Sequence, residues 1–128
     1  VFQNPRSQFF NIDSTSEVVF GCENMGVAVP KIEELLSQTA HTFHIENLLG
    51  RNLFQLSGGE KQKIACASVS MAEPDIFVLD EPTSNLDWES IKNLKDIISV
   101  WKKQGKTIVI AEHRLSYLKE IVECIVFV

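Results

Sequence analysis

Three short apolar stretches in the second half of the chain have the character of buried β-strands. They are IFVLD at 76–80, TIVIAE at 107–112 and IVECIVFV at 121–128. Residues 88–103 carry apolar side chains at three- and four-residue spacing before Gly105, which predicts an amphipathic helix with a glycine stop. Another helix is expected after Arg114, and this alternation of strands and helices predicts an α/β fold with a parallel sheet.

The first half of the chain lacks a strong strand pattern and carries three helix signals. Ser14 and Glu17 have the S-x-x-E spacing of a capping box, and Ser57 and Glu60 have the same spacing further along. Pro30 suits the first turn of a helix between them. These signals predict a helical subdomain lodged between an opening strand and the sheet-forming half.

Composition and charge narrow the class of protein. The 128 residues are 45% hydrophobic, which predicts one globular domain. The 12 basic and 17 acidic residues give a net charge of −5, which argues against a protein that depends on nonspecific contacts with nucleic-acid phosphates. Three widely spaced cysteines without a C-x-x-C pair favour a reducing compartment. No apolar run is long enough to span a bilayer.

A Ser-Gly-Gly turn opens the helix predicted after residue 57. Gly58 and Gly59 would let the backbone approach a charged ligand, and the first-turn N–H groups of a helix favour an anion such as phosphate. The Ser57 hydroxyl can cap the helix or turn to that ligand. An ordinary capped helix therefore remains the alternative interpretation of this turn.

Adjacent acidic residues end the first predicted strand. Asp80 and Glu81 would lie at the carboxyl end of a parallel strand, where α/β sheets bind ligands. Asp80 could hold Mg²⁺ through water, because this cation keeps much of its hydration and binds few carboxylates. Glu81 could orient and deprotonate an attacking water. Two solvated acids at a strand end are the simpler alternative for the pair taken alone.

Four motifs occur together along the chain: LSGGEKQ at 56–62, IFVLDEPTSNLD at 76–87, IVIAEH at 108–113 and Gln3 in VFQNP. Their order and spacing resemble the signature, Walker B with D-loop, switch-histidine and Q-loop motifs of ATP-binding-cassette (ABC) ATPases. The resemblance covers the chain from its first residues to about His113. It implies part of a P-loop NTPase sheet plus an ABC-type helical subdomain.

The resemblance divides the chain and assigns its phosphate contacts. It implies a Q-loop segment at 1–10, a helical subdomain at 11–73 and the C-terminal part of the ATPase core at 74–128. Since these ATPases sandwich ATP between two domains, Ser57, Gly58 and Gly59 would contact the γ-phosphate held by the opposite protomer. Asp87 would reach across the same interface.

The remaining motif residues would serve the reaction, by the same resemblance. Asp80 would serve Mg²⁺, and Glu81 would be the general base of ATP hydrolysis. His113 would hold the γ-phosphate and the attacking water. Gln3 would contact Mg²⁺ through water and link it to the transport partner.

The GKT sequence at 105–107 is not the P-loop that this family requires. A P-loop needs a glycine five places before Gly105, where Val100 stands, and it must lie between a strand and a following helix. Here the sequence follows a helix and enters a strand, so Gly105 is better explained as a helix C-cap. The P-loop is expected upstream of Val1, and the chain alone is expected not to turn over ATP.

Within the family, FQNPRSQFF, EVVFGCENMG and AEHRL resemble the energy-coupling-factor branch, whose ATPases drive uptake of vitamins or transition-metal ions. This implies pairing with a second ABC ATPase domain as a homodimer, heterodimer or tandem fusion. It also implies a transmembrane coupling protein, a peripheral position on the cytoplasmic face of the membrane, and no nucleic-acid partner.

Two rival functions and a metal site fit the sequence less well. A non-transport ABC ATPase of DNA repair or chromosome organisation would insert coiled coil or zinc modules between the Q-loop and the signature, and neither pattern is present. A pure interaction module would leave Asp80, Glu81 and His113 without a role. His41 and His44 lack a third metal ligand nearby, so solvated side chains are favoured.

The strand order of these ATPases gives one further expectation. The P-loop strand should lie between the strands at 107–112 and 121–128. Without it, we expect residues 121–128 to close directly onto 107–112 or to pair with another copy of the chain.

Overall fold

The computed structural model describes residues 1–84 and 86–126. Four α-helices and two strands occur in this part of the chain: α1 (Ser14–Asn24), α2 (Val29–Phe43), α3 (Gly58–Met71), β1 (Ile76–Asp80), α4 (Trp88–Lys103) and β2 (Thr107–Ala111). Short 3₁₀ turns lie at Pro5–Ser7, Glu46–Leu48, Leu53–Gln55 and Leu115–Tyr117. The first three helices fall within the predicted helical region, and α4 joins the two strands.

The α/β prediction is confirmed by the strand pairing. Strands β1 and β2 run parallel, in a register that places Ile76 beside Thr107 and Asp80 beside Ala111. Parallel neighbours require a crossover connection, which α4 supplies. Because the register is continuous to Asp80 and Ala111, the residues that follow both strands emerge at one edge of the sheet.

The apolar stripe of α4 is buried against the rest of the molecule, as its spacing predicted. Its last buried residue, Trp101, stacks on Phe77 of β1 with ring centroids 4.0 Å apart. The Trp101 indole also donates a 2.9 Å hydrogen bond to the Ser70 hydroxyl of α3. One side chain thus joins the helical region to the sheet. The helix ends at Lys103 with Gln104 as its C-cap, and Gly105, whose φ is 74°, follows directly as the predicted glycine stop.

One face of the two-stranded sheet is buried and the other is open. Phe77 and Leu79 belong to the core, whereas Ile76, Val78 and Val109 are 60%, 59% and 53% exposed. The main chain of Val1 lies along β1, where its nitrogen donates to the carbonyl oxygen of Val78 at 2.6 Å. In the described part of the chain the opening residues form no strand, so the predicted opening strand is wrong, although the Asp80 amide donates to the carbonyl oxygen of Val1 at 3.0 Å.

The predicted capping box at Ser14 and Glu17 is wrong, because Asp13 caps α1 instead. The Asp13 carboxylate accepts a hydrogen bond from the first turn of the helix at 3.0 Å. The Glu17 carboxylate turns away and accepts from the main-chain amides of Phe10 and Asn11, at 3.0 and 2.8 Å. Asp13 is as good an N-cap as serine, and its position moves the helix start by one residue. Pro30 lies in the first turn of α2, as predicted.

The C-terminal expectations are also corrected. Only the 3₁₀ turn Leu115–Tyr117 follows Arg114, and residues 121–126 form no strand and do not close onto β2, while residues 127 and 128 lie outside the described part. Instead, Ile121 and Val122 pack against the core, and Lys102 of α4 donates a 2.9 Å hydrogen bond to the carbonyl oxygen of Ile121. Pairing of the segment with another copy of the chain stays a prediction.

Candidate functional site

Glu81 follows β1 directly and has an unusual backbone conformation. Its φ is +40°, in the left-handed region, where a non-glycine residue costs about 1–3 kcal/mol. The turn is held by hydrogen bonds from the Glu81 amide to the carbonyl of Ala111 at 2.8 Å and from the Ser84 amide to the carbonyl of Glu81 at 3.0 Å. Strain of this kind concentrates at functional sites, where the surroundings fix the residue.

Three residues far apart in the sequence meet at the Glu81 carboxylate. Gln3 Nε2 donates a 2.6 Å hydrogen bond to Glu81 Oε2. His113 Nε2 lies 3.1 Å from Glu81 Oε1 and donates to it in the tautomer protonated at that nitrogen. We call Gln3, Glu81 and His113 the Glu81 cluster. Its His113 side chain is 86% exposed, so the cluster opens directly to solvent.

A neighbouring carboxylate, Glu112, joins the two loops that carry Glu81 and His113. Its Oε2 accepts a 2.6 Å hydrogen bond from the hydroxyl of Thr83, which is fully buried in the turn after Glu81. Its Oε1 accepts a 2.9 Å hydrogen bond from the main-chain amide of His113. The sequence motifs predicted no role for Glu112. The available signal was its position as the last residue of a predicted strand, the same position that singled out Asp80.

The capping box predicted at the start of α3 is confirmed. Ser57 Oγ accepts from the Glu60 amide at 3.2 Å, and Glu60 Oε2 accepts from the Ser57 amide at 2.7 Å. The hydrogen bond from the Ser57 backbone is the main reason that the pKa of Glu60 lies below its ordinary value. The amide and the hydroxyl of Ser57 therefore both form hydrogen bonds within the start of α3. The first-turn amides of Gly58 and Gly59 have no intrahelical acceptor.

Gly59 has a packing role that the sequence did not reveal. A Cβ at this position would lie 2.0 Å from Oγ and 2.9 Å from Cβ of Ser90, in the first turn of α4. The starts of α3 and α4 thus approach each other more closely than a larger residue allows. Asp87 caps α4 through a 2.8 Å hydrogen bond from the Ser90 amide, and its hydrogen bonds with Ser90 lower the pKa of Asp87.

A cavity of about 180 Å³ separates the start of α3 from residues 3–6 and the turn after β1. Its lining residues are Gln3, Asn4, Pro5, Arg6, Gly58, Lys61, Ser84 and Leu86. The predicted site residues therefore fall into two groups. Gln3 and His113 each form a hydrogen bond with Glu81, whereas Ser57, Gly59 and Asp87 lie at the helix starts, and Gly58 shares the cavity with Gln3.

Two oxygen donors near the carboxyl end of β1 are of the kind that a magnesium ion takes, and the described residues hold no cluster of three or more His, Cys, Asp or Glu that could bind a metal. Asp80 is exposed there, and its carboxylate makes no side-chain hydrogen bond to any residue in the described ranges. Gln3 uses its amide nitrogen on Glu81, which leaves its amide oxygen as a further ligand. Carboxylate and amide oxygens are the hard donors that Mg²⁺ takes. Asp80 and Gln3 would hold the ion, which would neutralise phosphate charge when bound.

Known proteins resemble this chain along most of its length. Residues 1–84 match the family model described as ABC transporter. An ABC transporter ATP-binding protein of Treponema denticola is 56% identical over 127 residues, 99% of this chain and 26% of the relative. The energy-coupling factor transporter ATP-binding protein EcfA2 of Streptococcus sanguinis is 42% identical over 114 residues, 88% of this chain and 41% of the relative.

A solved structure shares the fold. CbiO1 from Clostridium perfringens, described as part of the ABC transporter complex CbiONQ, superposes with a TM-score of 0.84 at 32% identity. The superposition covers 92% of this chain and 47% of CbiO1. The chain thus spans between about a quarter and about half the length of the relatives it matches. Among the described helices, none is both long and apolar enough to cross a bilayer.

Proposed function

Because the chain belongs to the ABC transporter family, we propose that it supplies the Walker B, signature and switch-histidine parts of an ATP-hydrolysing transport subunit, with Glu81 as the general base. The observation that carries this proposal is the Glu81 cluster, in which Gln3 and His113 hold both carboxylate oxygens of a strained residue. In domain terms, the proposal assigns 1–10 to the Q-loop, 11–73 to the helical subdomain and 74–128 to the ATPase core.

The cluster suits removal of a proton from water. Each carboxylate oxygen keeps a lone pair after accepting one hydrogen bond, so Glu81 can still accept a proton from a water placed against it. The open face of His113 lies beside that position, where its ring can orient the water and contact a terminal phosphate. Asp80 and Gln3 would hold Mg²⁺ nearby. Ser57, Gly58 and Gly59 would contact the phosphate across a dimer interface to which Asp87 contributes.

The transport branch is part of the proposal. Likeness to EcfA2 and to CbiO1 supports an energy-coupling-factor transporter that takes up a vitamin or a metal ion. The partners would be a second ABC ATPase domain and a transmembrane coupling protein, which would place the subunit on the cytoplasmic face of the membrane. The 128-residue chain contains no G-x-x-x-x-G-K-[ST] pattern, so by itself it should not turn over ATP.

The test is Glu81→Gln in the complete protein, with ATP turnover and ATP affinity measured side by side. Loss of a general base should lower kcat by about 10²- to 10⁴-fold. ATP binding should survive, because Glu81 acts on water. Glu33→Gln on the exposed side of α2 is the matched control and should leave turnover unchanged. Near-normal hydrolysis by Glu81→Gln would remove Glu81 from its proposed role.

A further inference from the structure

Glu112 accepts five hydrogen bonds through one carboxylate. Its Oε2 receives the Thr83 hydroxyl at 2.6 Å, the Thr83 amide at 3.3 Å and the Tyr117 hydroxyl at 3.3 Å. Its Oε1 receives the main-chain amides of His113 at 2.9 Å and Arg114 at 3.2 Å. A carboxylate that is merely exposed at the surface does not accept hydrogen bonds from so many protein donors. The donors come from two segments, with Thr83 after β1 and with His113, Arg114 and Tyr117 after β2.

The surroundings of Glu112 keep it charged and its donors in place. Partial burial pushes the pKa of Glu112 upward, but the hydrogen bonds from Thr83, Arg114 and His113 outweigh it and hold this pKa below its ordinary value. Burial and the nearby negative charge of Glu112 raise the pKa of Tyr117, which therefore remains a donor. Thr83 and Tyr117 are both buried. Hydrogen bonds to an ionised acceptor are stronger than neutral ones, particularly where water is excluded.

The residues that Glu112 contacts are next to the residues of the Glu81 cluster in the chain. Thr83 lies two residues after Glu81 in the strained turn, and the His113 amide belongs to the residue whose ring meets Glu81. The exposed ring of His113 has few contacts of its own to fix its place. We propose that Glu112 is a positioning residue that sets the separation of Glu81 and His113 by tying the Thr83 turn to the His113 backbone.

This inference rests on the proposed function, since it concerns the placement of the proposed base and switch histidine. It assigns Glu112 no contact with ATP or water. In the Glu112→Gln variant, a neutral amide would present its NH₂ group to donors on one of its two sides, so the substitution should release either the Thr83 turn or the His113 loop. Misplacement of catalytic groups by about 1 Å can lower a rate by about 10²-fold.

The test compares Glu112→Gln with a hydrogen-bond deletion of similar burial elsewhere in the complete protein. Ser70→Ala removes the acceptor of the Trp101 indole and touches neither loop. Both variants should lower the melting temperature, but only Glu112→Gln should lower kcat, by about 10- to 100-fold, with ATP affinity within a few-fold of the parent. Thr83→Val should reproduce the kcat loss, and Thr83→Ser should restore it.

The outcomes separate this inference from the proposed function. Glu112→Gln and Thr83→Val combined should cost little more than either alone, because both break the same tie. If Glu112→Gln does not fold, the test is the comparison of kcat between Thr83→Val and Thr83→Ser. If Glu81→Gln abolishes turnover while neither Glu112→Gln nor Thr83→Val lowers kcat more than Ser70→Ala, the positioning role is refuted and the proposed function stands. Unchanged turnover in Glu81→Gln would refute the function itself.

Discussion

Gly59 lies so close to Ser90 that substitution by alanine should destabilise the protein. The added methyl would lie 2.0 Å from Ser90 Oγ and 2.9 Å from its Cβ, whereas ordinary contact begins at 3.4 Å. Rotating the hydroxyl removes the first clash but not the second. Overpacking of this kind costs about 1–3 kcal/mol. Alanine recovers at most about 1 kcal/mol through its better helix propensity, so we expect a net loss of about 1–2 kcal/mol.

The measurement is thermal unfolding followed by far-ultraviolet circular dichroism. A loss of this size should lower the melting temperature of a domain this large by about 4–8 °C. Gly21→Ala is the matched control, because Gly21 is also helical and a Cβ there would meet no atom within 4 Å. That variant should be neutral or stabilised by up to about 1 kcal/mol.

A second substitution isolates the contact. Ser90→Gly removes both clashing atoms, so Gly59→Ala combined with Ser90→Gly should lose less stability than the sum of the single changes. An equal melting temperature for Gly59→Ala and the parent would refute the packing argument. If the double variant regains stability but ATP no longer drives dimerisation of the complete protein, Gly59 also serves the ligand, as its proposed signature role requires.

Two further predictions concern hydrogen bonds. The pKa of Glu112 lies below its ordinary value in the folded state, so in acid the unfolded state binds more protons than the folded state. The Glu112 carboxylate therefore stabilises the folded protein above a pH of about 4.5, and this stabilisation is lost as the pH falls further. The stability difference between the parent and Glu112→Gln should therefore shrink in acid unfolding experiments; a constant difference would contradict it. Ser70→Ala should cost about 1 kcal/mol in urea unfolding, and Trp101→Phe should cost more, because it also leaves space around a side chain that is buried in the core. The two changes together should cost about 1 kcal/mol less than their sum, because both remove the hydrogen bond from the indole to the hydroxyl. Full additivity would show that the indole and hydroxyl act separately.

The parts of the fold that the sequence predicts correctly have strong local signals. The apolar runs of β1 and β2, the stripe of α4 and the Ser57–Glu60 spacing each contain their own pattern, and each appears as expected. At α1 the local signals compete, because Asp13 and Ser14 are adjacent capping residues and only the packed structure chooses between them.

The prediction for the C-terminal segment is wrong because its conformation depends on distant residues. Its apolar run has strand character, but Ile121 and Val122 pack against the core and the Ile121 carbonyl accepts a hydrogen bond from Lys102 of α4, and no local pattern reveals these contacts. The same limit applies to the candidate site. The motifs singled out Gln3, Glu81 and His113, but the contact of Glu81 with His113 depends on the register of β1 and β2, and its contact with Gln3 depends on the main chain of Val1 lying along β1. The hydrogen bonds from Thr83 to Glu112 also depend on the register of β1 and β2. The chemical roles of these residues stay predictions.

The position of Trp101 makes it an optical reporter of how the helical region sits on the sheet. Its indole stacks on Phe77 of β1, meets Phe43 of α2 edge-on with centroids 6.3 Å apart, and donates to Ser70 of α3. Any rotation of α2 and α3 against β1 must change the polarity and quenching around this ring. Trp88, which is 77% exposed, would emit at longer wavelength as a fixed background. Replacing Trp88 by phenylalanine would leave Trp101 as the one tryptophan of the 128 residues, and it would report this rotation without an attached dye.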